Sequence, residues 1–328
     1  MRMQGEKSSV CVTGGTGYVA SWLVMKLLQH GYSVRATVRF DSECKKDISY
    51  LTSLPGAPEK LEIINADLNN PDSFNVAIDG CVGVFHVAHP MDFTSKESET
   101  VNKAAVEGTL GILKACVNSK TVKRVVYTSS AVAVMLNNKG SEVLDESSWT
   151  DIDYCRALKL RGNSYTISKT LTEKAALEFA EEHGLDLVTL NPSQVAGPFI
   201  CPGLPSTVYI ALALILGNQD QYRYLYKTHM VHIDDVADAH IFLLQCPSAK
   251  GRYICSSVEI TILEMAEFLS SRYPEFQIPT TELLSEIKGY KLPSLSSKKL
   301  LDLGFEFKCS IHEIFDGAIQ CCKEKGFL

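Results

Sequence analysis

Tyr165 and Lys169 stand four residues apart in Tyr165-Thr-Ile-Ser-Lys169, the spacing that places two side chains on one face of a helix. A free tyrosine has a pKa of about 10, too high to trade a proton easily at neutral pH. An ammonium a few ångströms away favours the phenolate and lowers that value, which makes a workable general acid of a poor one. Upstream, Tyr127-Thr128-Ser129-Ser130 closes an apolar run, so a strand end could deliver the Ser130 hydroxyl beside the tyrosine. Ser130 would then donate to a carbonyl oxygen, Tyr165 would protonate that oxygen as hydride arrives, and Lys169 would hold a nicotinamide ribose. The pattern is short. A tyrosine on an amphipathic helix is equally a core residue, and Ser129 next to Ser130 leaves a purely structural hydroxyl open.

A second constellation points the same way. Thr13-Gly14-Gly15-Thr16-Gly17-Tyr18-Val19-Ala20 follows an apolar strand and opens a helix. In that context Gly14 permits a tight turn, Gly17 lets backbone approach a pyrophosphate at the helix N-terminus, and Ala20 is small enough for helix–strand contact. Gly14, Thr16, Gly17, Tyr18 and Val19 are therefore the expected cofactor-facing residues of the turn. The second strand ends at Arg39, where an NAD-preferring site would place a carboxylate against the ribose 2′-hydroxyl. Arg39 instead offers a planar cation to a 2′-phosphate, and Lys46 could add a second charge, so the expected cofactor is NADP(H). Asp41 lies close by, and Arg39 could also be a plain solvated strand-end charge. Asp67-Leu68 closes the third strand region, where it could meet an adenine amino group or cap the next turn.

These motifs need a frame, and the chain supplies one. Strands are expected at 9–13, 33–38, 61–65, 82–87, 124–129 and 185–190, alternating with helices that include 18–30, 97–118 and 163–183. Near-continuous apolar strands of this kind suit a parallel sheet covered on both faces. Beyond Pro192 the texture changes to a loop rich in proline and glycine, then short helices at 206–216, 234–245, 262–272, 297–303 and 311–323. The expected fold is an α/β Rossmann-type doubly wound parallel sheet with a smaller, mostly helical C-terminal substrate lobe. Residues 1–192 would form the NADP-binding domain, with segments near 228–245 returning to it, and 193–328 would mainly bind substrate. Ligands of such folds lie outside the carboxyl ends of the strands.

Composition narrows the function classes. The 328 residues carry a formal net charge of −6, which argues against broad nucleic-acid or anionic-membrane binding. The longest apolar run, 208–216, is far shorter than the ~20 residues of a membrane span. Eleven cysteines contain no Cys-x-x-Cys pair, as expected of reduced thiols in a cytoplasmic protein. Histidines at 86, 89, 229, 232 and 240 offer ligand chemistry, but their spacing fits no standard zinc pattern, so no metal is expected. The expected partner is a small-molecule carbonyl compound, bound by a monomer or weak dimer.

The chain resembles the extended short-chain dehydrogenase/reductases, and within them the plant dihydroflavonol 4-reductase group. The likeness rests on Val12-Thr13-Gly14-Gly15-Thr16-Gly17-Tyr18, Arg35-Ala36-Thr37-Val38-Arg39, Tyr127-Thr128-Ser129-Ser130, Asp145-Glu146-Ser147, Tyr165-Thr166-Ile167-Ser168-Lys169-Thr170, Gly197-Pro198-Phe199 and Val231-His232-Ile233-Asp234-Asp235. Residues 111–124 and 318–326 are similar to the vestitone reductase branch of that group. The resemblance implies NADPH-dependent reduction of a ketone or aldehyde on an aromatic or heterocyclic substrate. It gives Ser130, Tyr165 and Lys169 the catalytic roles, lines the cofactor groove with Val87, Ala88 and His89, and puts Pro192 and Val195 around the nicotinamide. It also implies substrate contacts from His89, Ser130, Met135, Tyr165 and His229. Three of these depart from the dihydroflavonol pattern. His89 replaces a small hydroxyl residue, Met135 stands at a polar position that reads the flavonoid B-ring, and His229 occupies another polar ring-binding position. Each has a plain alternative, a satisfied histidine or a gap-filling methionine. Reduction of a cinnamoyl-type aldehyde or an anthocyanidin competes with reduction of an isoflavanone or alkaloid ketone. A catalytically silent NADP(H)-binding regulator is the alternative of another class, and the complete Ser130, Tyr165 and Lys169 set speaks against it.

Overall fold

A computed structural model of the chain describes residues 7–40, 47–90, 99–138, 140–158, 162–289 and 292–328. Its strands are β1 (Lys7–Val12), β2 (Tyr32–Val38), β3 (Leu61–Asn65), β4 (Gly83–His86), β5 (Arg124–Thr128), β6 (Val143–Leu144), β7 (Leu187–Pro192), β8 (Gln194–Ala196), β9 (Lys227–His232), β10 (Gly251–Cys255), β11 (Val258–Thr261) and β12 (Ser294–Leu295). Seven of them form one sheet in the order β10-β7-β5-β4-β1-β2-β3, and every neighbouring pair is parallel. The order runs outward in both directions from β1 and β4, the doubly wound arrangement whose switch point lies between those two strands.

The apolar strands are continuous because both faces are covered. Val10 and Val12 of β1 pack in one core while Cys11 between them packs in the other. Val126 and Val125 divide in the same way on β5, as do Val188 and Leu187 on β7. This is the period of two that a pleated strand imposes. The first face is covered by helices Tyr18–Gln29 and Ile233–Gln245, the second by Glu99–Ser119 and Asn163–His183. None of the described helices is long and apolar enough to cross a membrane.

Several elements differ from the sequence expectations. The strand expected at 185–190 runs Leu187–Pro192, because Asn191 is fully buried and paired rather than closing the strand as a turn residue. The seventh strand, β10, was not expected. Its sequence Gly-Arg-Tyr-Ile-Cys has a charge at its second position, and only tertiary pairing makes that charge tolerable inside a sheet. The helix expected at 206–216 stops at Ala211. The C-terminal region also contains a small sheet, β11-β9-β8, and the strand β12, which pairs with β6 of the first half, besides its helices Ile262–Arg272, Thr281–Ser285, Lys298–Asp302 and Ile311–Lys325. Two of these helices start with reciprocal capping boxes, Thr261 with Glu264 and Ser310 with Glu313. After Pro192 the chain crosses back to the main sheet. Lys26 on the first helix pairs with Asp234 at 2.8 Å and Asp238 at 3.0 Å on helix Ile233–Gln245.

One buried charge ties helix Asn163–His183 to the sheet. Glu173 is fully buried and accepts five hydrogen bonds: from Ser129 Oγ on the segment after β5, from Thr189 and Asn191 on β7, and from Arg252 Nε and Nη2 on β10. Arg252 in turn donates to the carbonyls of Glu146 and Ser148 and stacks 3.5 Å from the Trp149 ring centroid. Removing one partner of such a pair leaves the other charged and buried, at a cost of ~3–5 kcal/mol. Glu173→Ala should therefore lower the urea denaturation midpoint severely. Glu173→Leu combined with Arg252→Met should lose less, because no uncompensated charge remains. Equal losses in the two proteins would show that the pair is not the anchor described.

Candidate active site

The turn after β1 is built around Thr13, which is fully buried. Its Oγ accepts from the amides of Val87 and Ala88, at 3.1 and 3.0 Å. Its single proton is then free to go to His86 Nδ1, 2.9 Å away, and His86 Nε2–H donates to Thr109 at 3.0 Å. Burial pushes the His86 pKa down to about 3, so this histidine is a neutral, satisfied link between β1 and β4. Gly14 takes φ +71°, and a Cβ there would lie 3.0 Å from the Ala88 Cα. Only glycine serves at this crossing. The Gly14 amide donates to Thr37 Oγ and the Gly15 amide to the Thr37 carbonyl. Gly17 caps helix Tyr18–Gln29 without any side-chain bond, and the first turn carries no acidic residue. An open helix N-terminus beside a backbone-lined turn fits a phosphate. Ala20 is buried in the helix–sheet core, as its small size required.

This turn opens onto a cleft of about 960 Å³ along the carboxyl ends of the strands. Every expected site residue among the described residues lines it: Gly14, Thr16, Gly17, Tyr18, Val19, Arg39, Asp67, Leu68, Val87, Ala88 and His89, then Ser130, Met135, Tyr165, Lys169, Pro192, Val195 and His229. Lys46 lies outside the described residues. Arg39 is exposed at the end of β2 and has no ion-pair or hydrogen-bond partner among the described residues, so its guanidinium is available to a ligand. Asp67 Oδ1 accepts from the Asn69 amide and side chain at 3.0 and 3.2 Å, which engages that oxygen in its own turn. Sequence reasoning missed Thr37, Ala66, Asn69 and Phe74 at the nucleotide end, and Ser193, Gln194, Thr207 and Thr228 at the other. The only signal for Ser193 and Gln194 was their place between Pro192 and Val195.

Ser130, Tyr165 and Lys169 meet in the same cleft. Tyr165 and Lys169 share the inward face of helix Asn163–His183. Lys169 is 3% exposed and its Nζ donates to the Thr128 carbonyl at 2.9 Å. The Thr128 hydroxyl bonds His240 Nε2 at 2.7 Å, while His240 Nδ1–H donates to the Val236 carbonyl. Burial pushes the Lys169 pKa down to about 7, opposed by the Glu173 carboxylate one turn further on. Tyr165 is shifted up rather than down. Burial raises it, and a hydrogen bond with the Ser130 hydroxyl pulls it only part of the way back. The expected lowering by Lys169 is absent because the ammonium is turned to the Thr128 carbonyl. At neutral pH the phenol keeps its proton, as a proton donor must.

The two pocket histidines are both short of one partner. His89 Nε2 lies 3.3 Å from Ser168 Oγ, and its ring stands edge-on to Tyr165 at 5.8 Å. His229 Nε2 lies 3.0 Å from Glu259 Oε2. In each ring Nδ1 is buried with no hydrogen-bond partner among the described residues. Burial lowers both pKa values, so both rings are neutral at pH 7. His232 accepts from the Asp234 amide as the cap of helix Ile233–Gln245, a structural role.

Comparison with known proteins agrees with this geometry. Residues 10–255 match the NAD dependent epimerase/dehydratase family. The chain is 56% identical to vestitone reductase from Medicago sativa over 98% of its own length and 99% of that protein. The crystal structure of the alfalfa enzyme superposes with a TM-score of 0.90, covering 98% of this chain and 100% of that one. Dihydroflavonol 4-reductase from Zea mays is 51% identical over 98% of this chain and 90% of its own. The yeast methylglyoxal/isovaleraldehyde reductase complexed with NADPH is 26% identical, with a TM-score of 0.79 over 98% of this chain and 100% of that one. The chain belongs to the NAD dependent epimerase/dehydratase family, is an extended short-chain dehydrogenase/reductase, and with its reductase relatives is an oxidoreductase.

Proposed function

We propose that the chain reduces the ketone of a hydroxylated aromatic heterocycle, of the isoflavanone type, with Ser130, Tyr165 and Lys169 as its catalytic residues. The observation that carries the reading is the Ser130–Tyr165 hydrogen bond above a buried Lys169, in the cleft that the glycine turn opens. NADPH, when bound, supplies the hydride. The chain's own residues supply position and the proton. The uncapped helix N-terminus at Gly17 takes the pyrophosphate, and Arg39 takes the 2′-phosphate. Ser130 and Tyr165 hold the substrate oxygen from two sides. Tyr165 gives its proton to that oxygen as negative charge develops there, and the Lys169 ammonium, held by the Thr128 carbonyl, takes the nicotinamide ribose. Met135, at a position where dihydroflavonol enzymes are expected to carry a polar residue, and His229, at another such ring-binding position, support the isoflavanone-type ketone over a dihydroflavonol. A silent NADP(H)-binding role has no support from a site this complete.

Tyr165→Phe removes one hydroxyl and keeps the ring. NADPH binding should survive, and single-turnover reduction should slow by ~100-fold or more. Near-normal single-turnover rates would exclude Tyr165 as the donor. Arg39→Ala should raise KM for NADPH strongly and leave KM for NADH nearly unchanged; parallel changes would remove Arg39 from 2′-phosphate recognition.

Lys169 also makes a prediction about pH. Its folded pKa of about 7 lies below the usual value near 10.4. Below pH 7 both folded and unfolded chains hold the proton. Between the two values the unfolded chain holds more protons, so stability rises with pH in that window. Thermal melts of the cofactor-free protein should show wild type gaining on Lys169→Met between pH 6.5 and pH 9. A constant difference in Tm would mean that Lys169 titrates normally.

A further inference from the structure

His229 sits on β9 directly across from Glu259 on β11, a registered antiparallel pair. An ionised carboxylate only accepts, so the 3.0 Å contact with Glu259 Oε2 requires the proton to be on His229 Nε2. The carboxylate is itself held. Glu259 Oε1 pairs with Lys227 Nζ at 2.9 Å, and Lys227 also donates to Ser294 Oγ at 3.2 Å. Partial burial works against ionisation of Glu259, but the bonds from Lys227 and Ser294 prevail and keep its pKa below the usual range. The imidazole side chain is 2% exposed and neutral. A neutral ring protonated at Nε2 carries a bare lone pair at Nδ1. That atom is buried, unpartnered among the described residues, and belongs to a residue lining the cleft. Leaving a buried acceptor unmatched is costly, and a ligand that donates to it relieves the cost.

We propose that Glu259 is a specificity-determining positioning residue: it locks the His229 tautomer, so the cleft selects ketones that bring a hydrogen-bond donor, a phenolic hydroxyl, to His229 and rejects the matching methyl ethers. The proposal rests on the carbonyl-reductase reading and narrows its substrate class. A methyl ether has no proton to offer, and its oxygen would face the Nδ1 lone pair. The site therefore discriminates by proton inventory in addition to the extra volume of the methyl group.

The test uses the full-length protein with NADPH and flavanones and isoflavanones bearing one free hydroxyl at successive ring positions, each paired with its methyl ether. At one or more positions wild type should prefer the hydroxyl compound by roughly ten- to a hundredfold in kcat/KM. His229→Phe should bring that ratio close to one. Glu259→Gln, whose amide can donate as well as accept, should lower the ratio several-fold, and Glu259→Asp should restore part of it. NADPH affinity and Tm show whether each variant is folded. Imidazole ¹⁵N shifts of wild type give a readout that needs no variant: His229 should appear as the Nε2–H form. Reduction without hydroxyl preference at any position, or an Nδ1–H form, overturns the lock and leaves the reductase reading intact. Failure to reduce any of the ketones overturns that reading instead, and dissociation constants of the same pairs in the presence of NADP⁺ then decide the lock.

Discussion

The buried carboxylate of Glu173 is the constraint on which the active site depends. Tyr165, Lys169 and Glu173 lie at successive turns of one helix, so the phenol, the ammonium and the anchoring carboxylate share a single face. Glu173 reaches three separate strand segments through Ser129, Thr189, Asn191 and Arg252. Asn191 passes the restraint on, since its side chain also donates to the Ser130 carbonyl. The helix that carries the phenol is thus fixed against the segment that carries the serine. A carboxylate in this position would be untenable alone. It is tolerated because Arg252 neutralises it and three further polar groups, Ser129, Thr189 and Asn191, satisfy its oxygens.

Electrostatics in the cleft follow from that arrangement. Lys169 is buried among uncharged groups on most sides, which weakens its hold on its proton, while Glu173 strengthens it. His86, His89 and His240 nearby are all held neutral by burial. The neighbourhood therefore contains two cations, Lys169 and Arg252, and one anion, Glu173, and none of these three histidines titrates near neutrality. The Thr128 carbonyl gives the ammonium a fixed partner. Tyr165 keeps a raised pKa, which suits a group that must hold a proton until negative charge develops on a neighbouring oxygen.

How much of this was legible in the sequence depends on the range of the interaction. The glycine turn, the Tyr165–Lys169 spacing and the apolar strands are local patterns, and they fell close to where expected, with β7 shifted toward Pro192. Arg39 at the end of β2 was legible for the same reason. The edge strand β10 was not, because Arg252 at its second position is acceptable only beside Glu173, 79 residues away. Glu259 was invisible in the same sense. Nothing local to Val258–Thr261 indicates that its carboxylate meets His229, and only the register of β9 with β11 brings them together. The direction of the Tyr165 shift was misjudged because spacing shows that Lys169 is near, but not that its ammonium turns to a backbone carbonyl.

The small sheet explains how a loop-rich C-terminal region can present a precise side chain to the cleft. On β9, Met230 packs in the C-terminal core while its neighbour Val231 packs in the core of the nucleotide-binding face, together with Val195. His232, next in line, caps the helix that covers the main sheet. A strand fixed on one side by each core and at its end by a helix cap cannot slide without breaking both, and a slip of one residue would exchange its faces. His229 is set by that register, and Glu259 by the antiparallel partner paired to it. Specificity groups are usually carried on loops, which tolerate change. Here the pocket histidine is carried on a strand that both cores hold in place, so the orientation of its nitrogens is coupled to the same frame that positions Tyr165.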